Sequence, residues 1–393
     1  TMAVDKQDKV LNVPNLRFPE FAGEWEKYKL GDIMEFTKER ISSSLLTEDN
    51  YVSTENMLQD FQGVTCAHNV PEDTNVMEYK QGDVLVSNIR PYLKKVWMAD
   101  KNGGCSADVF VMRANGNVCT DDFLHHIVAN DRFIGYVMSG AKGVKMPRGD
   151  KEQMKGFRTA LPSLKEQQKV AHLLAIIDER ISTQIRIFNE LQSLISGITQ
   201  RISKHSSIRM TLLSELLAER NEKNTELFPV YSVSVSEGVV NQIDYLGRSF
   251  AAADTTHYNV AHRGDIIYTK SPTGEFPFGI IKRNAVETNV AVSPLYGVYQ
   301  PVSDDVAIYL HYYFCSPLNA QNYLHKLIQK GAKNTINITN QRFLENSISL
   351  PDKKTLEGFV KLISAVSTKL KLEKSLLETL QRQKRYLLTQ MFV

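Results

Sequence analysis

The sequence predicts an α/β (α+β) protein. Two similar mixed α/β globules are each followed by one long helix, and the two helices pair antiparallel as a coiled-coil spacer about a pseudo-two-fold axis. Three observations carry this. Leu161-Pro162 and Leu350-Pro351 stand at an offset of 189 (350 − 161), and the segments after them run in step without a gap. Both segments carry an apolar seam with a 3.5-residue period. The bodies before them repeat turn and strand motifs in one common order. The chain then divides into globules at 1–162 and 206–350 and spacer helices at 163–205 and 351–393.

The first seam runs Val170, Leu174, Ile177, Ile181, Gln184, Phe188, Leu191, Ile195, Ile198 and Ile202. The second, 189 residues on, runs Phe359, Ile363, Val366, Leu370, Glu373, Leu377, Leu380, Lys384, Leu387 and Met391. Of these 20 positions 17 are apolar, where a chain that is 42% hydrophobic would place about eight, so the period is real. Steps of four and three in alternation are a coiled-coil pattern. A helix of about 40 residues is roughly 60 Å long. The first therefore carries the chain away from its globule, and the second buries its seam only by running back, leaving one globule at each end of a rod. The polar seam residues Gln184 and Glu373 fall at the helix middles, where they are expected to lie close together and fix the register.

Within the globules, Leu30-Gly31-Asp32-Ile33-Met34 sits over Leu213-Ser214-Glu215-Leu216-Leu217, and Gly82-Asp83-Val84-Leu85 over Gly264-Asp265-Ile266-Ile267. Gly140-Ala141-Lys142 matches Gly331-Ala332-Lys333. In the first globule β-rich runs bounded by turn residues predict strands at 83–88, 95–98 and 109–112, then a helix over 121–138. In the second they predict strands at 265–269, 278–281 and 295–299, then a helix over 306–328 broken near Pro317. Lys204 to Ser207 reads as the linker between units.

A net charge of +3 excludes a histone-like polycation, so any nucleic-acid surface must be a local patch. The four cysteines show no C-x-x-C pairing and no partner histidines at metal-ligand spacing, so neither a disulfide framework nor a zinc site is expected. With a polar N-terminus and no 18-residue apolar run, a cytoplasmic home is the expectation. A second apolar row flanks the seam, with Leu173, Ile176, Ile187 and Leu194 on one helix and Leu362, Leu376 and Tyr386 on the other. A two-stranded coil needs only the narrow seam, so these residues either pack on the globules or dock partner helices.

Two globules each followed by a long helix, with Leu161-Pro162-Ser163-Leu164-Lys165-Glu166-Gln167-Gln168-Lys169-Val170 opening the first, resemble the specificity subunit of Type I restriction-modification systems. The entry from Trp25 to Asp32, the Gly82-Asp83-Val84-Leu85 turn and the Gly-Ala-Lys loops fit as well. The second copy departs, with Asp352-Lys353-Lys354-Thr355-Leu356 where the Glu-Gln pair would stand. The resemblance implies a DNA-reading subunit without catalysis of its own. Each globule would be a target recognition domain for one half of a bipartite asymmetric site on double-stranded DNA. The helices would set the gap and dock two methyltransferase subunits, and through them the restriction subunits. Those partners, not this chain, would carry S-adenosylmethionine, ATP and Mg.

Phosphate contacts need mobile cations, and base reading needs polar side chains that project into a groove. In the first globule the candidates are Ser87, Asn88, Arg90, Lys94 and Lys95, with Tyr92 among them, and then Lys142, Lys145 and Arg148. In the second they are Thr269, Lys270, Ser271, Thr273, Lys282 and Arg283, then Lys333, Asn334, Asn337, Thr339, Asn340 and Arg342. Their occurrence at matching places in both copies raises the functional reading.

Enzyme motifs are wanting. The sequence contains no P-loop and no Pro-Pro of an adenine methyltransferase motif, and Asp73 with Glu78-Tyr79-Lys80 only faintly resembles a metal-dependent nuclease. His125, His126 and His311 read as packing or surface residues. The competing function is a coiled-coil scaffold whose globules bind proteins; it leaves the paired basic loops unexplained.

Overall fold

The structure, a computed structural model, describes residues 12–143, 145–203, 208–248, 251–330 and 336–393. It forms two units. The first takes the chain up to Arg186 together with Ser375–Val393, and the second is Ile187–Lys374.

In the first unit β1 (Glu26–Lys29), α1 (Leu30–Ile33), β2 (Met34–Phe36), β3 (Arg40–Ser42) and β4 (Tyr51–Val52) precede β5 (Asn75–Tyr79), β6 (Val84–Ser87), β7 (Val96–Met98), β8 (Gly103–Cys105) and β9 (Val109–Ala114). The helices α2 (Asp121–Val128), α3 (Asp131–Ser139) and α4 (Lys151–Lys155), the strand β10 (Arg158–Leu161) and the long helix α5 (Leu164–Ile202) follow. Two four-stranded sheets form, β2-β9-β6-β7 and β3-β5-β8-β4, and β1 pairs antiparallel with β10. The strands expected at 83–88, 95–98 and 109–112 are β6, β7 and β9. The helix expected over 121–138 is two helices, because the Asn130 side chain accepts the Arg132 N–H at 2.9 Å and caps a fresh start.

In the second unit β11 (Arg209–Leu212), β12 (Leu217–Glu219), β13 (Tyr231–Ser234), β14 (Gly238–Asn241), α6 (Gln242–Leu246), β15 (Asn259–Ala261), β16 (Ile266–Tyr268), β17 (Ile281–Arg283), β18 (Val290–Val292) and β19 (Gly297–Pro301) come first. Then come α7 (Asp304–Cys315), α8 (Pro317–His325), β20 (Gln329–Lys330), β21 (Ile336–Asn337), α9 (Asn340–Phe343), β22 (Ser347–Leu350) and α10 (Lys353–Gln390). The sheet β12-β19-β16-β17 reproduces β2-β9-β6-β7, and β11 pairs with β22 as β1 does with β10. The break near Pro317 is real: the Ser316 hydroxyl caps α8 and Pro317 takes its first position. The strand expected at 278–281 lies instead at β17. Pro277 lacks an N–H for a ladder, and Gly279 has φ +101°, which a strand does not use.

The same turn starts β6 and β16. Gly82 (φ +94°) and Gly264 (φ +92°) take the left-handed conformation, and Asp83 and Asp265 accept the N–H of Lys80 and His262, each at 2.8 Å. Both carboxylates are buried and each needs a cation. Asp83 receives Arg113 through Nε and Nη2, both at 2.8 Å, and Asp265 receives Arg220 at 2.7 and 3.2 Å. Arg113 lies on β9, but Arg220 follows β12, the counterpart of β2. The residue in Arg220's place in the first unit is Thr37, whose N–H bonds Val111 O as that of Arg220 bonds Val298 O.

All 20 seam positions of α5 and α10 are buried or half-buried, Gln184 and Glu373 included. In the first unit Val170 and Leu174 share a core with Leu388 and Met391, and Lys384 on α10 pairs with Asp178 on α5. In the second, Ile195, Ile198 and Ile202 pack on the core that holds Phe359 and Ile363. Glu373 also pairs with Lys369 one turn away on its own helix. The seam is thus a true burial stripe in both units. The linker expected at 204–207 lies outside the described residues.

Candidate nucleic-acid interface

In the first unit the two candidate loops become one surface. The Arg90 N–H bonds Pro147 O at 2.8 Å, the Gly149 N–H bonds Asn88 O at 3.0 Å, and Lys142 and Arg148 exchange backbone bonds at 3.1 and 2.9 Å. Arg90 (φ +51°) and Lys94 (φ +54°) are left-handed residues that flank the single turn Pro91–Leu93 and turn it outward. That turn is held at several points. The Asp60 N–H bonds Leu93 O at 3.1 Å, Lys94 Nζ pairs with Asp131 at 2.7 Å, and Lys95 Nζ donates to Thr54 O at 2.6 Å.

The exposed members are Arg90, Tyr92, Lys142, Lys145, Met146 and Arg148. Among the described residues, the Arg148 side chain pairs with an exposed carboxylate, Asp108, at 3.4 Å. The other candidates face inward. Ser87 is buried and its hydroxyl donates to Ile89 O; Lys95 is half-buried, and burial with the neighbouring Arg90 lowers its pKa. The Asn88 side-chain oxygen is buried without a hydrogen-bond partner, beside the seam where the loops join.

The second unit divides its candidates more sharply. Ser271 and Thr273 are exposed on the loop after β16, and Lys270 (φ +61°) is half-buried at its root, its pKa lowered by burial. Thr269 is buried, its hydroxyl accepting the Ile280 N–H at 3.0 Å. Lys282 and Arg283 face the protein rather than solvent. Lys282 Nζ meets Cys315 Sγ at 3.2 Å, and Arg283 pairs with Asp304. Sequence reasoning placed them at a surface because β17 begins three residues later than expected.

On the other loop, Thr339 is exposed and caps α9, Asn340 donates to Glu219 at 2.6 Å, and Arg342 is engaged by Leu327 O at 2.9 Å and Glu345 at 3.0 Å. Lys333 and Asn334 lie outside the described residues, as does the side chain of Asn337. Sequence reasoning passed over Met146. No local signal marks it, because its prominence follows from backbone pairing between segments about sixty residues apart in sequence.

The second apolar row is largely exposed. Ile176, Leu194, Leu362, Leu376 and Tyr386 show 39 to 61% of their surface, whereas Leu173 and Ile187 are half-buried. Leu372, at 64%, extends the row. In the first unit two grooves of about 470 and 420 Å³ run along it, one lined by Ile177, Tyr386 and Leu387, the other by Ile176, Leu376 and Leu380. No helix is long and apolar enough to cross a membrane among the described residues, and they hold no cluster of metal-ligating side chains. Of the faint nuclease pattern, Tyr79 is buried on Asn50 O and Lys80 pairs with Glu39.

Against known proteins, residues 22–193 match the family model of the Type I restriction modification DNA specificity domain. The chain is 22% identical over 221 residues to the MjaVIII specificity subunit of Methanocaldococcus jannaschii, covering 54% of this chain and 50% of that one. It is 24% identical over 150 residues to the EcoDI specificity subunit of Escherichia coli, covering 38% and 32%. The chain therefore spans half or less of the length of these curated relatives. The crystal structure of a Type I system S subunit from M. genitalium has the same fold, with a TM-score of 0.62 and 15% identity, over 97% of this chain and 99% of that one. Residues 22–193 are thus similar to the Type I restriction modification DNA specificity domain, and along its length the chain has the same fold as the M. genitalium S subunit.

Proposed function

We propose that this chain is the non-catalytic DNA-binding subunit of a Type I restriction-modification complex, each unit reading one half of a bipartite asymmetric site on double-stranded DNA. The observation that carries this is the knitted surface of the first unit, where Arg90, Lys142, Lys145 and Arg148 are gathered with Tyr92 on a backbone-braced platform. Cations on a rigid support suit phosphate positioning, and the polar and aromatic groups between them suit base edges. In the second unit Lys270, Ser271, Thr273 and Thr339 take that part, and Lys333, Asn334 and Asn337 belong to the same proposal. Different loops in the two units mean different half-sites.

The exposed row along α5 and α10 is the proposed dock for two methyltransferase subunits, which would bring S-adenosylmethionine, with the ATP- and Mg-dependent restriction subunits joining through them. A cytoplasmic location follows from that role. The test is to express the chain with its methyltransferase partner and map methylated adenines across the host genome. Two short motifs at one fixed separation support the reading; methylation without a motif, or none, overturns it. Metal-dependent cleavage of DNA by the purified chain alone would overturn the non-catalytic part.

A further inference from the structure

Away from the loops, the second unit holds a half-buried nucleophile that the proposed DNA reading does not use. Cys315 ends α7, and His311 lies one turn earlier on the same helix face, its Nε2 3.9 Å from Sγ. The backbone N–H of Arg283 donates to His311 Nδ1 at 3.2 Å. That bond makes Nδ1 an acceptor, so the proton of the neutral ring sits on Nε2 and points at the sulfur.

From β17, Lys282 places its ammonium 3.2 Å from the same atom. Lys282 is 4% exposed, and a buried ammonium needs an anion beside it. Its hydrogen-bond partner is the sulfur. On α7, Asp304 pairs with Arg283. Tyr312, beside Cys315 and Arg283, is held neutral by burial and bonds Ser367. Passing the thiol proton away thus converts a lone buried cation into an ion pair.

The other cysteines make the contrast. Burial pushes the thiols of Cys105 and Cys119 up to about 12, and at Cys105 the charge of Lys151 does not reverse it. At Cys315 burial also pushes upward, but His311 and Lys282 together more than reverse it and hold the thiol at about 6. Cys315 is half-buried, whereas Cys105 and Cys119 are buried. A thiolate stabilised by a cation at hydrogen-bond distance is the setting in which cysteines react.

We propose that Cys315 is a modification site: a thiolate held by Lys282 and His311 that a small peroxide such as hydrogen peroxide oxidises to a sulfenic acid. The thiolate attacks one peroxide oxygen, the S–O bond forms as the O–O bond breaks, and the hydroxide that leaves takes a proton to become water. Sulfur is oxidised and peroxide reduced, with no other reagent needed. The product is neutral, so Lys282 loses its counter-ion. Lys282 pairs with Ile267 across the β16–β17 ladder, and β16 runs straight into the Thr269–Thr273 loop. Oxidation therefore loosens the strand that supports that loop.

The experiment treats the full chain at pH 7 with hydrogen peroxide, traps sulfenic acid with dimedone, and compares Cys315 with the exposed Cys66 by tandem mass spectrometry. Cys315 should label at least tenfold faster, and Lys282→Met and His311→Gln should each slow it severalfold while circular dichroism stays native. Should Lys282→Met unfold, thiolate absorbance at 240 nm decides: wild type minus Cys315→Ser should show a full thiolate step completed below pH 7.5. Equal or slower labelling of Cys315 than of Cys66, or no absorbance step before pH 8, overturns the proposal.

Discussion

Arg17 grips Glu166 with two nitrogens, Nε on Oε1 and Nη2 on Oε2, each at 2.7 Å. Trp25 Nε1 shares Oε1 at 3.3 Å, and the neighbouring Gln167 accepts the Thr120 N–H and donates to Val118 O and Pro162 O. Glu166 and Gln167, 1% and 0% exposed, therefore weld the first turn of α5 to its globule. In the second copy Thr355 and Leu356 stand at these positions, and Asp352 caps α10, accepting the Thr355 N–H and hydroxyl, each at 3.0 Å.

Replacing Glu166 with alanine strands the half-sheltered Arg17 and the indole N–H of Trp25, and should cost about 3 kcal/mol. Both tryptophans, Trp25 and Trp97, belong to the first unit, so fluorescence-detected urea unfolding reads that unit alone. An unchanged midpoint would show the clamp to be idle.

The Asp83–Arg113 pair should be movable. Arg113→Gln leaves a buried carboxylate unpaired and should cost about 3 kcal/mol. Adding Thr37→Arg, the residue that the second unit uses at that place, should restore at least half of the loss. If the double variant is no better than the single one, the two units do not share this geometry.

Stability of the first unit should fall as the solution is acidified. Burial, with Lys384 nearby, holds His125 at about 3, and burial holds His126 well below its ordinary value. Folded pKa values below the unfolded value of about 6.5 mean that the unfolded chain takes up protons first. The stabilisation is complete above pH 6.5 and is lost from there down towards pH 3, by up to about 1.4 kcal/mol per pH unit for each histidine. Urea midpoints between pH 7 and 4.5 measure it, and His126→Leu should flatten the slope; an equal slope in that variant would refute the assignment.

Among the loop cations, exposure should separate reader from strut. Arg148→Ala should weaken binding to every duplex and reduce the salt slope by about one unit. Arg342→Ala, whose guanidinium is already engaged by Leu327 O and Glu345, should leave the slope alone. Equal effects from both would dissolve the distinction.

On the helices, Leu376→Asp should leave folding within about 0.5 kcal/mol of wild type because the side chain is exposed, yet abolish co-purification with the methyltransferase subunit. Leu174→Ala, fully buried, should instead cost about 2 to 5 kcal/mol. Retained co-purification of Leu376→Asp would move the dock elsewhere.

What the sequence disclosed follows from how each signal is encoded. The seam was legible position by position, because a 3.5-residue period is local and every seam residue is sheltered. So were the turns at Gly82 and Gly264, where chain direction depends on one glycine. The loops were legible only as composition. Which residues face outward is decided by Arg90 meeting Pro147 and by β17 starting at Ile281, and neither contact leaves a trace in neighbouring residues. His311 and Cys315 were separable from ordinary packing residues only once β17 brought Lys282 beside them.

Each globule hangs on a narrow neck. Glu26 through Lys29 run against Leu161 through Arg158, and Arg209 through Leu212 against Leu350 through Ser347, so the chain enters and leaves each body on neighbouring strands about 5 Å apart. A body held at such a socket can be exchanged without stretching or shortening what it is plugged into. For a gene, that makes the neck codons the natural crossover points: recombination there trades one body for another and leaves the long helix that follows it unaltered.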